Sequence, residues 1–129
     1  MEEENELPPL KQMHKTMDLI GVPSNVFPLL FSKERWSNLE KIIADLIDEM
    51  GVTVLQKVSY HFRGYDGAMT ALFLLCESHF SIHTYPEYKY IAIDLFTCGS
   101  SDSTDLLMRL IDIIKPEKYI INTISRNAI

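Results

Sequence analysis

Residues 52–97, VTVLQKVSYHFRGYDGAMTALFLLCESHFSIHTYPEYKYIAIDLFT, decide the fold. Val52 to Phe62 is rich in β-branched and aromatic residues and reads as a strand. Arg63-Gly64-Tyr65-Asp66-Gly67 carries two glycines and reads as a turn. Met69 to Cys76 is a second apolar run, so the two runs form a hairpin. Phe80 to Tyr85 is extended in character and stops at Pro86. From Tyr90 to Thr97 the residues alternate, with Ile91, Ile93 and Leu95 on one side and Tyr90, Ala92, Asp94 and Phe96 on the other. Both rows are largely apolar, which predicts a sheet covered on both faces.

Outward from this block the period changes. Trp36, Leu39, Ile42, Ile43, Leu46, Ile47 and Met50 recur at spacings of three and four, predicting a helix over residues 34–50. Ser32 is its candidate N-cap, and Gly51 is placed for a left-handed C-terminal residue. Residues 13–21 predict a first strand, and Pro23 and Pro28 break the next stretch into a loop. Ser100, Ser101, Asp102 and Ser103 supply N-cap candidates for a second helix. Leu106, Leu107, Leu110, Ile111 and Ile114 form its inward stripe, and Pro116 ends it. Tyr119 to Ile124 is a last strand. The order predicts an α+β two-layer sandwich, an antiparallel sheet with two helices on one face. The other face is apolar and is expected to meet a second copy or to line a substrate cleft.

A chain of 129 residues, 47% hydrophobic and 23% charged, is one ordinary globular domain spanning 1–129, which excludes disorder, collagen and coiled coil for the whole chain. The net charge is −6, but Glu2, Glu3, Glu4 and Glu6 carry most of it, in what is expected to be a flexible acidic tail over 1–12. No basic patch suits nucleic acid. No basic n-region with an apolar h-region opens the chain, and the run 71–76 is too short to span a bilayer, so a cytoplasmic protein with two free thiols, Cys76 and Cys98, is expected.

Chemistry concentrates in Glu77-Ser78-His79-Phe80-Ser81-Ile82-His83-Thr84-Tyr85-Pro86-Glu87 and in Phe96-Thr97-Cys98-Gly99. Three readings of the residues compete. Metal binding by His79 and His83 suits a helix, but on a strand the two lie roughly 13 Å apart, too far for one ion, so no metal is expected. A hydrolase triad lacks the G-x-S-x-G elbow around Ser78. In the third reading Ser78 and His83 are simply hydrogen-bonded polar residues at a strand end.

The Glu-Ser pair, the Ile-His-Thr-aromatic-Pro-Glu run and the Phe-Thr-Cys-Gly tetrad, in this order and separation, resemble the prokaryotic S-adenosylmethionine decarboxylase proenzymes. The resemblance is close from about Val58 to Gly99 and weaker on either side. It implies a self-processing lyase that cuts its own chain between Glu77 and Ser78, into residues 1–77 and 78–129. The serine hydroxyl attacks the preceding carbonyl, the resulting ester is eliminated, and Ser78 is left as a covalent pyruvoyl group, the cofactor of the reaction. That group forms a Schiff base with the substrate amine and accepts the electrons released with carbon dioxide. His83 matches the histidine that promotes processing. Thr70 stands where the family usually has a serine that holds the rearranging intermediate. Cys98 matches the cysteine that returns a proton to the substrate α-carbon. A thiol, with a reference pKa of about 8.5, gives up a proton near neutrality far more readily than a hydroxyl.

For substrate, the resemblance assigns Glu87 to the ribose hydroxyls and expects aromatic rings around adenine. The turn 63–67 is one residue longer than the family pattern, so the stacking ring is either Phe62 or Tyr65, with Tyr85 a further candidate. The implied product is the aminopropyl donor of spermidine synthesis, a step of polyamine biosynthesis. Members of the family that decarboxylate L-ornithine or L-arginine would keep Ser78, His83 and Cys98 and change the pocket, where Asp66 is placed to meet a cationic side chain. The other alternative is an inactive regulatory homologue. The expected assembly is a homodimer of processed protomers with sites near the interface.

Overall fold

Period-two runs become six strands, and the period-3.6 runs become helices on one side of them. The computed structural model describes residue 7, residues 10–98 and residues 103–126. The strands are β1 (Gln12–Ile20), β2 (Val54–His61), β3 (Met69–Leu75), β4 (Ser78–Tyr85), β5 (Tyr90–Cys98) and β6 (Lys118–Ser125). The helices are α1 (Val26–Phe31), α2 (Trp36–Glu49) and α3 (Thr104–Ile114). All pairings are antiparallel, in the order β2-β3-β4-β5-β1-β6. The predicted α+β sandwich is therefore the observed one.

The core fills the space between the helices and one row of the sheet: Met17 and Leu19 of β1, Ala71 and Phe73 of β3, Phe80 and Ile82 of β4, and Ile91, Ile93 and Leu95 of β5. A chain of rings, Phe27, Phe31, Trp36, Phe73 and Phe80, with successive centroids 5.5–6.4 Å apart, ties α1 and α2 to the sheet. The opposite row stays open within one chain. Val58, Leu72 and Leu74 are 61%, 46% and 50% exposed, and Ile120 and Ile124 continue the apolar surface on β6. This explains the double apolar alternation: one row is core, and the other is an uncovered surface.

Four expectations change. The segment broken by Pro23 and Pro28 contains α1, because Pro28 falls in the first turn, where its missing N–H has no helical partner to lose. Among the described residues three α-helices replace the expected two. Ser32 does not cap α2; it ends α1 in extended backbone, and its carbonyl accepts from the N–H groups of Arg35 and Trp36, so α2 starts at Trp36. β1 begins at Gln12, inside the stretch expected to be tail, whose residues 1–6, 8 and 9 lie outside the described ones. Gly51 takes the left-handed conformation expected of it, with φ +80°. Ser103 holds the N-cap position of α3, while Ser100, Ser101 and Asp102 lie outside the described residues, as does Gly99 of the tetrad. Among the described residues no helix is long and apolar enough to cross a membrane.

Candidate active site

Strand geometry separates the candidate residues into two groups at opposite ends of the sheet. At one end, β3 and β4 pair Thr70 with His83, and Thr70 Oγ1 lies 3.0 Å from His83 Nδ1. Beside this pair is a cavity of about 280 Å³ lined by Phe62, Tyr65, Thr70, Tyr85, Glu87 and Arg63, among others. Phe62, Tyr65 and Tyr85 are 51%, 53% and 41% exposed, so three ring surfaces are left available at its rim. Glu87 is set by a 3-10 turn, Pro86–Tyr88, which Lys89 closes in the left-handed conformation. The cavity floor is tied together by hydrogen bonds. Thr84 Oγ1 donates to the Gly67 carbonyl and accepts from Met69 N–H at 2.8 Å. Gly67, at φ +87°, sits so close to α1 that a Cβ there would come within 2.4 Å of the Phe27 carbonyl oxygen.

Asp66 does not join Glu87. It lines a neighbouring cavity of about 270 Å³ with Lys33, Glu34 and His61. That cavity shares Phe62, Arg63 and Tyr65 with the first.

At the other end, β3 turns into β4 through Cys76 and Glu77. Glu77 has φ +60°, a conformation that costs a side-chain-bearing residue roughly 1–2 kcal/mol. Ser78 follows, buried, and its hydroxyl donates to the Cys76 carbonyl at 3.3 Å. His79 pairs with Phe96 across β4 and β5, so Ser78 and Cys98 terminate adjacent strands together. Gln12 pairs with Cys98 across β1 and β5, and its amide nitrogen is 3.7 Å from the sulfur.

Ser78 and His83 thus share a strand without sharing a site. Five residues of β4 put them roughly 17 Å apart, and their odd separation sends them to opposite sides of the pleat. Each is hydrogen-bonded to a different partner, Ser78 to Cys76 and His83 to Thr70. His79 and His83 share a face four residues apart on β4, and among the described residues no group of three or more histidine, cysteine or acidic side chains is gathered as for an ion.

The open face between the two ends carries polar residues that the sequence did not single out. His14 Nε2 lies 3.2 Å from Asp94 Oδ1, and Ser81 Oγ 3.5 Å from Asp94 Oδ2. Tyr90 donates to Asp18 and stacks on Tyr85 at 5.7 Å. Burial and then the Asp18 carboxylate, which accepts from the neutral phenol and repels the phenolate, push the Tyr90 hydroxyl up to about 12. The Arg126 guanidinium lies 5.2 Å from the centroid of the Phe96 ring. Only the outward placement of Tyr90 and Asp94 on β5 could have been read from alternation.

The sequence profile of the S-adenosylmethionine decarboxylase family matches residues 14–127. The chain belongs to that family. Relatives of the S-adenosylmethionine decarboxylase family that it resembles carry two kinds of name. A Bacillus cereus protein named S-adenosylmethionine decarboxylase proenzyme 2 is 37% identical over 114 residues, 88% of this chain and 86% of that one. An Archaeoglobus fulgidus S-adenosylmethionine decarboxylase proenzyme is 32% identical over 107 residues, 82% of this chain and 88% of its own. An Ignicoccus hospitalis protein named arginine decarboxylase proenzyme is 29% identical over 91 residues, 70% of this chain, and the match spans 63% of its length. The crystal structure of the adenosylmethionine decarboxylase of Aquifex aeolicus superposes with a TM-score of 0.76 at 22% identity, covering 95% of each chain, and so shares the fold.

Proposed function

We propose that this decarboxylase-family chain is a self-processing, pyruvoyl-dependent S-adenosylmethionine decarboxylase that works as a homodimer. The observation that carries the reading is the division of the site. Thr70, His83, Glu87 and the aromatic cavity lie at one end of the sheet, and Ser78 and Cys98 at the other, roughly 17 Å away. The face that presents Thr70 and His83 also exposes Val58, Leu72, Leu74, Ile120 and Ile124. A second copy laid on it around a two-fold axis would cover that surface and bring each His83 toward the other chain's turn between β3 and β4, where the Glu77–Ser78 bond lies at the end of the sheet.

The local structure fits the making of a pyruvoyl group. Glu77 is in left-handed backbone, so breaking the bond after it relieves strain, and the Ser78 hydroxyl lies within the turn that contains that bond. In the proposed steps Ser78 Oγ adds to the Glu77 carbonyl carbon and the Glu77–Ser78 C–N bond breaks to leave an ester. His83, held by Thr70 in the second copy, takes the Ser78 Cα proton as the Glu77 carboxylate leaves, and water then displaces ammonia to give the pyruvoyl carbonyl. The chain, a single domain over 1–129, divides into 1–77 and 78–129. Once formed, the pyruvoyl group supplies an electron sink for decarboxylation. Around it, Glu87 accepts from ribose hydroxyls, Phe62, Tyr65 and Tyr85 offer ring faces to adenine, and the Cys98 thiol gives a proton to the substrate α-carbon. The product serves as aminopropyl donor in spermidine synthesis. Action in the cytoplasm belongs to the same proposal.

The archaeal relatives named arginine decarboxylase proenzyme give a second reading its footing. The cavity supports the first: it offers several aromatic surfaces and Glu87, while Asp66, the carboxylate placed to meet a basic side chain, lines the adjoining cavity rather than this one. Release of labelled carbon dioxide from S-adenosylmethionine, arginine and ornithine by the processed protein decides between them. Turnover of S-adenosylmethionine at least about a hundredfold above the other two, as differential binding of some 3 kcal/mol would give, is expected. Preference for either amino acid overturns the substrate assignment, and no turnover of any points to the regulatory homologue.

A further inference from the structure

We infer that Gln12 is a positioning residue for Cys98: its amide holds the thiol sulfur in place and stabilises the charge left there when the proton departs. The inference rests on the proposed role of Cys98 as proton donor. Gln12 and Cys98 are directly paired across β1 and β5, and Gln12 Nε2 donates to Cys98 Sγ at 3.7 Å. A sulfur that loses its proton gains negative charge, and a fixed N–H aimed at it favours that state. The amide does not ionise, so it offers a donor at any working pH and cannot take the thiol's proton itself.

Gln12 is in turn fixed from the other side. Its backbone carbonyl accepts from Arg126 N–H at 2.8 Å, just past the end of β6. The Arg126 guanidinium rests over Phe96, two residues before Cys98. His14 meets the same ring edge-on at 6.2 Å, and His79 meets it tilted at 5.5 Å. The ends of β1, β5 and β6 are therefore fastened together at the sulfur, and the residue that touches it comes from a stretch whose composition reads as tail. Among the described residues the charged and titratable groups around this end include Lys11 and His14 beside Gln12, Cys76 and Glu77 in the turn before β4, His79 on β4 and Arg126 beyond β6, and the Gln12 variants below leave all of them unchanged.

The test uses the full chain after processing. Gln12→Leu removes the donor at similar volume, and Gln12→Glu replaces it with a carboxylate that repels a charged sulfur. Alkylation of Cys98 by iodoacetamide is followed at one pH by peptide mass, with exposed Cys76 as the internal reference. Relative to Cys76, Cys98 is expected to react about three- to tenfold more slowly in Gln12→Leu and more slowly again in Gln12→Glu. In Gln12→Leu, kcat falls about tenfold, equivalent to about 1.4 kcal/mol, while KM and the extent of cleavage at 77–78 stay at parent values. Should Gln12→Leu fail to fold, Gln12→Ala removes the same donor, and the same readouts apply. Unchanged or faster alkylation of Cys98 with parent-like kcat overturns the inference. Cys98→Ala separates the two levels. If it abolishes turnover while Gln12→Leu behaves as the parent, the inference fails and the proposed function stands. If it keeps full turnover, the proton-donor reading fails and takes the inference with it.

Discussion

Two chains, each disabled at a different end of the sheet, should restore self-cleavage when they pair. Ser78→Ala removes the hydroxyl at the cleavage point, and His83→Ala removes the imidazole that Thr70 holds at 3.0 Å. Within one chain the two positions are roughly 17 Å apart along β4. A proton moves directly only across about 3 Å, so a lone chain cannot use its own His83 on its own Ser78. In a homodimer with crossed sites, a mixed pair holds one complete site, made from the Ser78 of the His83→Ala chain and the His83 of the Ser78→Ala chain. Equal co-expression with random pairing places about half of the Ser78-bearing chains in mixed dimers, and about half should therefore be cut. Distinct affinity tags isolate the mixed dimers, and intact mass counts the cut chains. Each variant alone should stay uncut. Mixed dimers that purify together and contain no cleaved chain would refute the crossed-site geometry.

Three further outcomes follow from local chemistry. Glu87→Gln keeps the shape of the cavity wall but weakens acceptance from ribose hydroxyls, so KM for S-adenosylmethionine should rise about tenfold with kcat within a factor of about two, as steady-state kinetics would show. Gly67→Ala puts a Cβ against the Phe27 carbonyl at positive φ, and thermal unfolding should begin well below the parent; a cost of about 2 kcal/mol lowers Tm by about 8 °C or more in a domain of this size. The Tyr90 phenol is pushed up to about 12 in the fold from an ordinary 10, so its contribution is complete below pH 10 and is lost as pH rises from 10 toward 12. Tyr90→Phe should flatten that part of the Tm-against-pH curve, and an unchanged alkaline fall would show that other groups cause it.

The strands, and the hairpin of β2 and β3, were legible where one row of a strand is core. Ile91, Ile93 and Leu95 alternate cleanly because the helices cover them, and the turns at Gly64, Gly67 and Pro86 bracket the runs. α1 was hidden because Pro28 reads as a breaker unless its place in a first turn is known. β1 was blurred because its outward row, with His14, Thr16 and Asp18, mixes polar residues into an apolar sheet face. The candidate site residues were picked out by motif, but their arrangement was not legible. Ser78 and His83 are close in sequence, yet each strand residue adds about 3.4 Å and reverses the facing, so nearness along β4 became separation in space. Contacts such as Gln12 to Cys98 depend on the register of strands far apart in the chain, which no local pattern carries.

Intact mass of the purified chain under denaturing conditions tests the central claim most directly. The account predicts two fragments divided between Glu77 and Ser78, with the fragment 78–129 lacking a free amino terminus and carrying the mass of a pyruvoyl group in place of serine. A single uncut chain of 14.9 kDa that persists through long incubation would contradict it.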